Sequence, residues 1–257
     1  DLLMASLPAV GSVTINDVTR NLATLLVTGP KAPAILVDMT GQSITHDDFA
    51  WLSHRKIDLA GCQANVIRVS FAGEAGFEIH CPMDDVVAVY DAVMAAGAAH
   101  QLRPFGMLAL DSMRLEKGYR SWKADLTSDY TMFESGLGRW VNFNKDDFVG
   151  RAALQAEKQA GSQREFITLT LDDPDDDVPF GEAVYLSNVS IDGVDAGLVV
   201  SAGYGHRVGA SIAMAVVDRQ ALAKAKDISV LVLGRKRRAT LVEGHVLYDP
   251  ENAKMKV

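Results

Sequence analysis

Short runs of β-forming residues, each ended by a turn signal, fill the last third of the chain and limit the folds open to it. Between residues 165 and 248 the runs are EFITLTL, AVYL, GLVVSA, IAMAVV, ISVLVL and RATLVEGHVLY, separated by Gly, Asp and Asn. Several short strands at close spacing are typical of a sandwich or barrel. The sequence therefore predicts a small antiparallel barrel or sandwich over residues 161–257, joined to the rest by a helical stretch at 147–161.

The first 160 residues mix helical and strand patterns, which indicates an α+β fold. Residues 84–97 have apolar side chains at three- and four-residue spacing, so we expect an amphipathic helix with Asp84 as its N-cap. A second helix is expected over GMLALDSMRLEKG, residues 106–118. Pro30 suits the first turn of a shorter helix. The domains predicted are thus 1–160 and 161–257.

Within the first domain, the stretch VIRVSFAGEAGFEIHC (66–81) predicts a β-hairpin with one buried side. The apolar residues expected on the shared faces of its two strands are Ile67, Val69 and Phe71, then Phe77, Ile79 and Cys81. Glu74 lies at the tip between Gly73 and Gly76, which permit positive φ angles or close approach of a ligand. Its carboxylate either points into water or accepts hydrogen bonds from a flat group with adjacent N–H donors.

Composition narrows the range of functions. The chain has 257 residues, 48% of them hydrophobic, with a net charge of −8. Nucleic-acid and anionic-membrane surfaces need a basic footprint, so we expect neither partner and favour small-molecule chemistry. The two cysteines, Cys62 and Cys81, are too few for a disulfide framework and favour a reducing, cytoplasmic location. No apolar run has the roughly 20 residues of a membrane span.

Four motifs in one order resemble the folate-binding aminomethyltransferase family, the T-protein of the glycine cleavage system and its relatives. They are FAGEAGFEI (71–79), LDSMRLEKGYRSWKADLT (110–127), FESGLGRWVNFNKDDFVGRAAL (133–154) and LYDP (247–250). The KGYRSW and SGLGRWV forms look most like the tetrahydrofolate-binding part of dimethylglycine and sarcosine dehydrogenases or oxidases. The resemblance implies an antiparallel sheet with helices, followed by a C-terminal β-barrel.

The resemblance also implies a site. In the family, the acid matching Glu74 binds the pterin end of tetrahydrofolate, whose 2-amino and N3–H groups form a paired donor edge. Phe71 stands where the family tends to have Tyr, and Gly73 belongs to the same loop. Tyr119 and Trp122 match a stretch near the folate in the dehydrogenase branch, with buried aromatic packing as their other interpretation.

Two departures from the family pattern bear on activity. The glycine-cleavage branch typically holds folate with an Arg where this chain has Leu110, which favours the dehydrogenase branch. The family's catalytic Asp lies in an N-terminal third that has no counterpart here, and Asp1 does not replace it. We therefore assign no catalytic residue and expect the chain to be a fragment.

The implied reaction is transfer of a one-carbon unit. The N5 amine of tetrahydrofolate attacks an aminomethyl or iminium carbon derived from dimethylglycine, sarcosine or glycine, giving 5,10-methylenetetrahydrofolate and a free amine. Any FAD is expected only in a fused or partner domain. The alternatives are an inactive folate-binding or scaffold paralogue and a related tetrahydrofolate-dependent demethylase.

Other signals have plainer interpretations. DDPDDD (172–177) lacks EF-hand spacing and is read as a solvated turn rather than a cation site. GYGHRVG (203–209) is read as a barrel loop, and GRKRR (234–238) as a solvated hairpin face or an attractor of the folate glutamate tail. The six histidines show no metal-ligand spacing, so no metal is expected. Arg114 and Glu116 are read as structural ion-pairing residues or ligand contacts.

Overall fold

The structure, a computed structural model, describes residues 2–9, 11–172 and 188–257. The chain forms two compact units, each made of separate segments. Unit 1 comprises Asp1–Ser70, Glu74–Pro104 and Met255–Val257, and unit 2 comprises Phe71–Gly73 and Phe105–Lys254. The division into domains 1–160 and 161–257 remains a prediction.

Unit 1 is built on a four-stranded antiparallel sheet in the order β1-β4-β3-β2, accompanied by helices. Its elements in chain order are α1 (Leu2–Ala5), β1 (Leu22–Thr28), α2 (Ala32–Thr40), β2 (His54–Leu59), β3 (Cys62–Arg68), β4 (Gly76–Pro82) and α3 (Val86–Gly97). Its hydrophobic core joins one face of the sheet to α2 and α3, and includes Leu36, Phe49, Val66, Ile79 and Val89.

The predicted hairpin of β3 and β4 is present, but one of its two predicted faces is wrong. On β4 the side chains expected in the core are fully buried: Phe77, Ile79 and Cys81. On β3 the buried side is the opposite one from that expected: Cys62, Ala64, Val66 and Arg68. The residues assigned to that face from their apolar character are only half-buried: Ile67, Val69 and Phe71.

Arg68 explains this difference. Its side chain is completely buried, and Nη1 donates to the backbone oxygens of Ile44 and Phe49, both at 3.1 Å. Nη2 donates to the backbone oxygens of Met255, at 3.4 Å, and Val257. Burial lowers the pKa of the guanidinium, yet these carbonyls replace its hydration. A charged residue therefore occupies a core position because distant backbone groups accept its hydrogen bonds.

Two helix starts differ from those expected. Pro30 lies before the N-cap position Lys31 of α2, and Pro33 is the proline in the first turn. Asp84 lies within a 3-10 turn, Met83–Asp85, that leads into α3, so it is not the N-cap. The predicted helices over 84–97 and 106–118 are nevertheless confirmed, the second as α4 (Met107–Glu116).

Unit 2 contains a closed six-stranded antiparallel barrel with strand order β10-β5-β8-β7-β6-β9, so the predicted barrel is confirmed. Its elements after α4 are α5 (Arg151–Ala160), β5 (Arg164–Leu171), β6 (Asn188–Ile191), β7 (Val194–Gly205), β8 (Ala210–Asp218), α6 (Arg219–Leu222), β9 (Ile228–Val232) and β10 (Arg235–Leu241). Asp192 and Gly193, both with positive φ, form the tight turn between β6 and β7.

Strand β8 is buried on both faces, because one face points into the barrel core and the other packs against α4. Alternate residues Ala213, Ala215 and Val217 belong to the barrel core. The intervening residues pack in a second cluster with Leu115 of α4: Ile212, Met214 and Val216. This packing fixes α4, and the segment that follows it, against the barrel within unit 2.

The run RATLVEGHVLY is strand only as far as Leu241, after which Glu243–His245 forms a 3-10 turn. The run AVYL lies outside the described residues.

Candidate functional site

The loop between β3 and β4 carries Glu74, and its C-terminal side is anchored within unit 1. The backbone oxygen of Ala75 accepts hydrogen bonds from the Gly29 amide at 2.8 Å and from the Thr28 hydroxyl at 3.1 Å. Both donors lie at the end of β1, which pairs with β4. The residue immediately after Glu74 is thus held in place, and Glu74 itself is half-buried.

The N-terminal side of the same loop, Phe71–Gly73, belongs to unit 2. The Phe71 ring is parallel to the Tyr119 ring, with an interplanar angle of 7° and centroids 6.0 Å apart. Tyr119 is half-buried, and its pKa is raised mainly by burial, with a further contribution from Asp249 and an opposing one from Arg139. Two of the predicted site residues, Phe71 and Tyr119, therefore lie together.

Gly73 lies directly against Lys117. Its φ of +78° is in the left-handed region, and a Cβ added there would come within 3.0 Å of the Lys117 Cδ. The Lys117 ammonium donates to the Asp249 carboxylate at 3.2 Å, and the two side chains are only 1% and 7% exposed. The Asp249 carboxylate also accepts from the amides of Ala253 and Lys254. Burial would raise the Asp249 pKa, but these hydrogen bonds outweigh it and lower the value.

Ala72 is held by Arg207, from the loop between β7 and β8. Arg207 Nη2 donates to the backbone oxygens of Ala72 and Met113, both at 3.0 Å. Its Nε donates to the carboxylate of Glu116, which is 1% exposed. The guanidinium carbon lies 3.8 Å from the centroid of the Tyr248 ring. The Nε, the Nη2 and one face of the guanidinium are thus engaged.

The segment carrying Tyr119 and Trp122 is held by a buried ion pair. Arg114 Nη1 donates to the Asp125 carboxylate at 2.7 Å and to the backbone oxygen of Tyr119 at 3.1 Å. The same Asp125 oxygen accepts from the Ser121 amide at 2.6 Å. Trp122 projects from this turn with 75% of its surface exposed, so buried packing does not describe it.

Glu134, in the FESGLGRWV motif, forms an ion pair with Arg164. Its carboxylate accepts two hydrogen bonds from the Arg164 guanidinium, both at 3.0 Å, and one from the Thr131 amide at 3.2 Å. The hydrogen bonds from Arg164 are the main reason that its pKa is lowered. This pair ties the segment before α5 to the first strand of the barrel.

Two further sequence motifs, GYGHRVG and GRKRR, lie in unit 2. GYGHRVG is the loop between β7 and β8, and the basic run GRKRR forms the exposed turn and start of β10. Arg114 and Glu116 each form a structural ion pair, but with different partners, Asp125 and Arg207. In the acidic run, residues 173–177 lie outside the described part of the chain.

Three side chains that organise the loop were not assigned a role from sequence: Lys117, Arg207 and Asp249. Asp249 lies in the LYDP motif and Arg207 in GYGHRVG, so the motifs themselves were the available signal. Their partners are 90 or more residues away along the chain, which periodicity does not reveal.

In unit 1 the carboxylate of Glu74 lies on an anchored loop, and in unit 2 the rings of Phe71 and Tyr119 lie together. A carboxylate accepts two parallel hydrogen bonds, which suits a flat ligand with adjacent N–H donors. In residues 2–9, 11–172 and 188–257, no group of three or more His, Cys, Asp or Glu side chains is arranged to hold a metal ion. None of the helices described has the length and apolar character of a membrane span.

An antiparallel α+β unit followed by a closed six-stranded barrel defines the aminomethyltransferase class of folds, and the family comparison agrees. The GCVT N-terminal domain model matches residues 1–145, and the glycine cleavage T-protein C-terminal barrel domain matches residues 164–249. The chain belongs to the glycine cleavage T-protein family.

Several curated proteins are similar to it. Dimethylglycine dehydrogenase, mitochondrial, from Homo sapiens is 32% identical over 93% of this chain and 27% of its own length. Sarcosine dehydrogenase, mitochondrial, from Homo sapiens is 37% identical over 61% of this chain and 17% of its own length. An aminomethyltransferase from Caldanaerobacter subterraneus subsp. tengcongensis is 28% identical over 90% of this chain and 60% of its own length. The chain therefore spans only part of each relative.

A solved structure shares the fold. The glycine cleavage system aminomethyltransferase T from Bartonella henselae superposes with a TM-score of 0.73 at 23% identity, over 88% of this chain and 60% of that one.

Proposed function

We propose that this chain binds tetrahydrofolate through Glu74 and forms the folate-binding part of an enzyme that transfers a one-carbon unit. The observation that carries the proposal is the anchoring of the Glu74 loop. Ala75 is fixed by Thr28 and Gly29 within unit 1, and Phe71–Gly73 by contacts within unit 2. A loop held on both sides presents its carboxylate with little entropy left to lose on binding.

The residues fit the proposed ligand. The pterin 2-amino and N3–H groups form adjacent donors, and the Glu74 carboxylate supplies two acceptor oxygens. Charge-assisted hydrogen bonds of this kind contribute roughly 1.5–3 kcal/mol each. The family resemblance supports a folate-binding role for Phe71, Tyr119 and Trp122, of which the first two rings lie together and the third is exposed within unit 2. Gly73 keeps the loop close to Lys117.

Tetrahydrofolate supplies the N5 amine that accepts the one-carbon unit, and the role proposed for this chain is to bind and orient it. Orientation alone can supply about 7–11 kcal/mol of a reaction barrier. We assign proton transfer to no residue of this chain. The donor proposed is dimethylglycine or sarcosine, because the two human relatives are dehydrogenases named for these compounds. FAD chemistry, where present, is proposed to reside in a fused or partner domain.

Calorimetric titration with tetrahydrofolate tests the proposal, using both the 257-residue chain and the longest polypeptide its gene encodes. We expect Glu74→Gln to weaken binding at least about tenfold, since it removes the charge and replaces one acceptor oxygen with an NH2 donor. Glu78→Gln is the matched control, because Glu78 is a half-buried acid of the same hairpin that pairs with His80. Equal affinity in wild type and Glu74→Gln would refute the proposal.

A non-catalytic folate-binding protein is the second candidate. Leu110, found where the glycine-cleavage branch typically has an arginine, is a buried apolar side chain of α4, only 8% exposed. Phe71 likewise lacks the hydroxyl of the family's tyrosine. Formation of methylenetetrahydrofolate from dimethylglycine or sarcosine by the encoded full-length protein would exclude this candidate. Turnover with a different methylamine would point instead to a related demethylase.

A further inference from the structure

We infer that Arg207 is a positioning residue for the loop that carries Glu74, acting through the backbone oxygen of Ala72. This inference rests on the proposed function, because Glu74 is the residue whose placement it would control. Arg207 belongs to unit 2, as does Ala72, which lies two residues before Glu74 in the chain.

The guanidinium is held firmly enough for such a role. Its Nη2 bridges the backbone oxygens of Ala72 and Met113 at 3.0 Å each, and its Nε meets the Glu116 carboxylate. One face lies over the Tyr248 ring at 3.8 Å. The planar fork of arginine satisfies several acceptors in fixed directions while stacking on an aromatic face.

Glu116, the partner of Arg207, is itself held in place. Glu116 accepts hydrogen bonds from the backbone amide of Arg207, at 2.6 Å, as well as from its side chain. Glu116 lies at the end of α4, and its own backbone oxygen accepts from the Leu247 and Tyr248 amides at 3.0 and 2.9 Å. The side chain of Arg207 therefore cannot swing away from Ala72 without breaking contacts at both ends of the guanidinium.

The hydrogen bond from Arg207 to Ala72 restrains the backbone close to Glu74. Ala72 is fully buried, and its oxygen receives a charge-assisted hydrogen bond. Within unit 1, Ala75 is held by Thr28 and Gly29, so Glu74 lies between two anchored residues. Loosening the Ala72 anchor should increase the conformational freedom of the Glu74 carboxylate, which raises the entropy that a ligand must remove.

The test is Arg207→Lys, which keeps a positive charge opposite Glu116 but removes the planar fork and its stacking on Tyr248. We expect the dissociation constant of tetrahydrofolate to rise up to about tenfold, because binding must then order a looser Glu74 loop. Amide hydrogen exchange in residues 70–76 should become faster. Arg235→Lys, an exposed arginine of β10, is the matched control and should change neither quantity.

A double-mutant cycle separates positioning from a general effect on stability. If Arg207 acts through Glu74, adding Arg207→Lys to Glu74→Gln should weaken binding little beyond Glu74→Gln alone. This inference is overturned if the two losses of affinity are additive. It is also overturned if Arg207→Lys leaves the affinity unchanged while Glu74→Gln weakens binding. Both outcomes leave the proposed function standing. Unchanged affinity in Glu74→Gln overturns both. Should Arg207→Lys fail to fold, Tyr248→Leu removes the stacked ring and carries the same expectations for affinity, exchange and non-additivity.

Discussion

Arg114 and Asp125 form an ion pair with an N–O distance of 2.7 Å in which the two side chains are 3% and 0% exposed. The pair joins α4 to the turn that carries Tyr119 and Trp122. Removing one partner of such a pair leaves the other charge buried without compensation, which costs far more than losing a surface contact.

We therefore expect Asp125→Ala to lower the free energy of unfolding by about 3–5 kcal/mol. Asp111→Ala is the control, because Asp111 contacts the same guanidinium at 2.7 Å but is 47% exposed, so its loss should cost about 0–1 kcal/mol. Urea unfolding followed by circular dichroism measures both values. Equal effects would show that burial does not decide the contribution of this pair.

Gly73→Ala should destabilise the protein more than Gly193→Ala. Both glycines have positive φ, +78° and +86°, so both variants bear the backbone strain of about 1–2 kcal/mol. Only at Gly73 does the added Cβ meet another side chain, the Lys117 stem at 3.0 Å, whereas nothing lies within 4 Å at Gly193. Overpacking of this kind adds about 1–3 kcal/mol. Thermal unfolding of the two variants checks the difference, and indistinguishable losses would contradict it.

The Glu134 carboxylate should make stability depend on pH in the acid range. Its folded pKa lies below the ordinary 4.5, chiefly because of the hydrogen bonds from Arg164. The folded state then binds fewer protons than the unfolded state, so this stabilisation is present above 4.5 and is lost as pH falls through the folded pKa. We expect Glu134→Gln to be destabilised near neutral pH, with the difference from wild type shrinking below 4.5.

Unfolding midpoints across this pH range test that expectation. Glu165→Gln is the matched control, since Glu165 faces Arg219 at 3.6 Å and is 44% exposed. The control should lose little stability at any pH. A constant difference between wild type and Glu134→Gln down to the lowest pH would argue against the assignment.

Both thiols should be unreactive in the folded protein. Burial, followed by the hydrogen bond and charge of Asp85, raises the pKa of Cys62 to about 11, and burial also raises that of Cys81. Since the thiolate is the reactive form, about one Cys62 in a thousand is ionised near pH 8. Titration with a chromogenic disulfide reagent should detect two thiols only after urea is added, and rapid reaction without denaturant would refute this.

Much of the fold follows from local patterns in the sequence. The turn-separated runs after residue 165 predict an antiparallel barrel or sandwich, and the structure has the barrel; three- and four-residue apolar spacing predicts α3. The errors fall where distant partners decide the outcome. Apolar character placed Ile67 in the core, but the core position belongs to Arg68, whose carbonyl partners lie 19 or more residues away in sequence.

The candidate site was predictable only in its outline. The glycines on either side of an acid indicate a special role for Glu74, and the family resemblance implies its ligand. The residues that hold the loop were not predicted, because the partners of Lys117 and Arg207, Asp249 and Glu116, lie 132 and 91 positions away in the sequence. Buried ion pairs between elements far apart in the chain produce no periodic pattern in the sequence.

The contact between Arg68 and the Met255 oxygen spans 187 positions of the chain, and both residues belong to unit 1. During translation, the sheet of unit 1 leaves the ribosome long before Met255–Val257 is made, and most of unit 2 is synthesised in between. Until then the Arg68 guanidinium lacks two of its four carbonyl acceptors, the backbone oxygens of Met255 and Val257. Unit 1 thus acquires its final stability only after most of unit 2 has been synthesised.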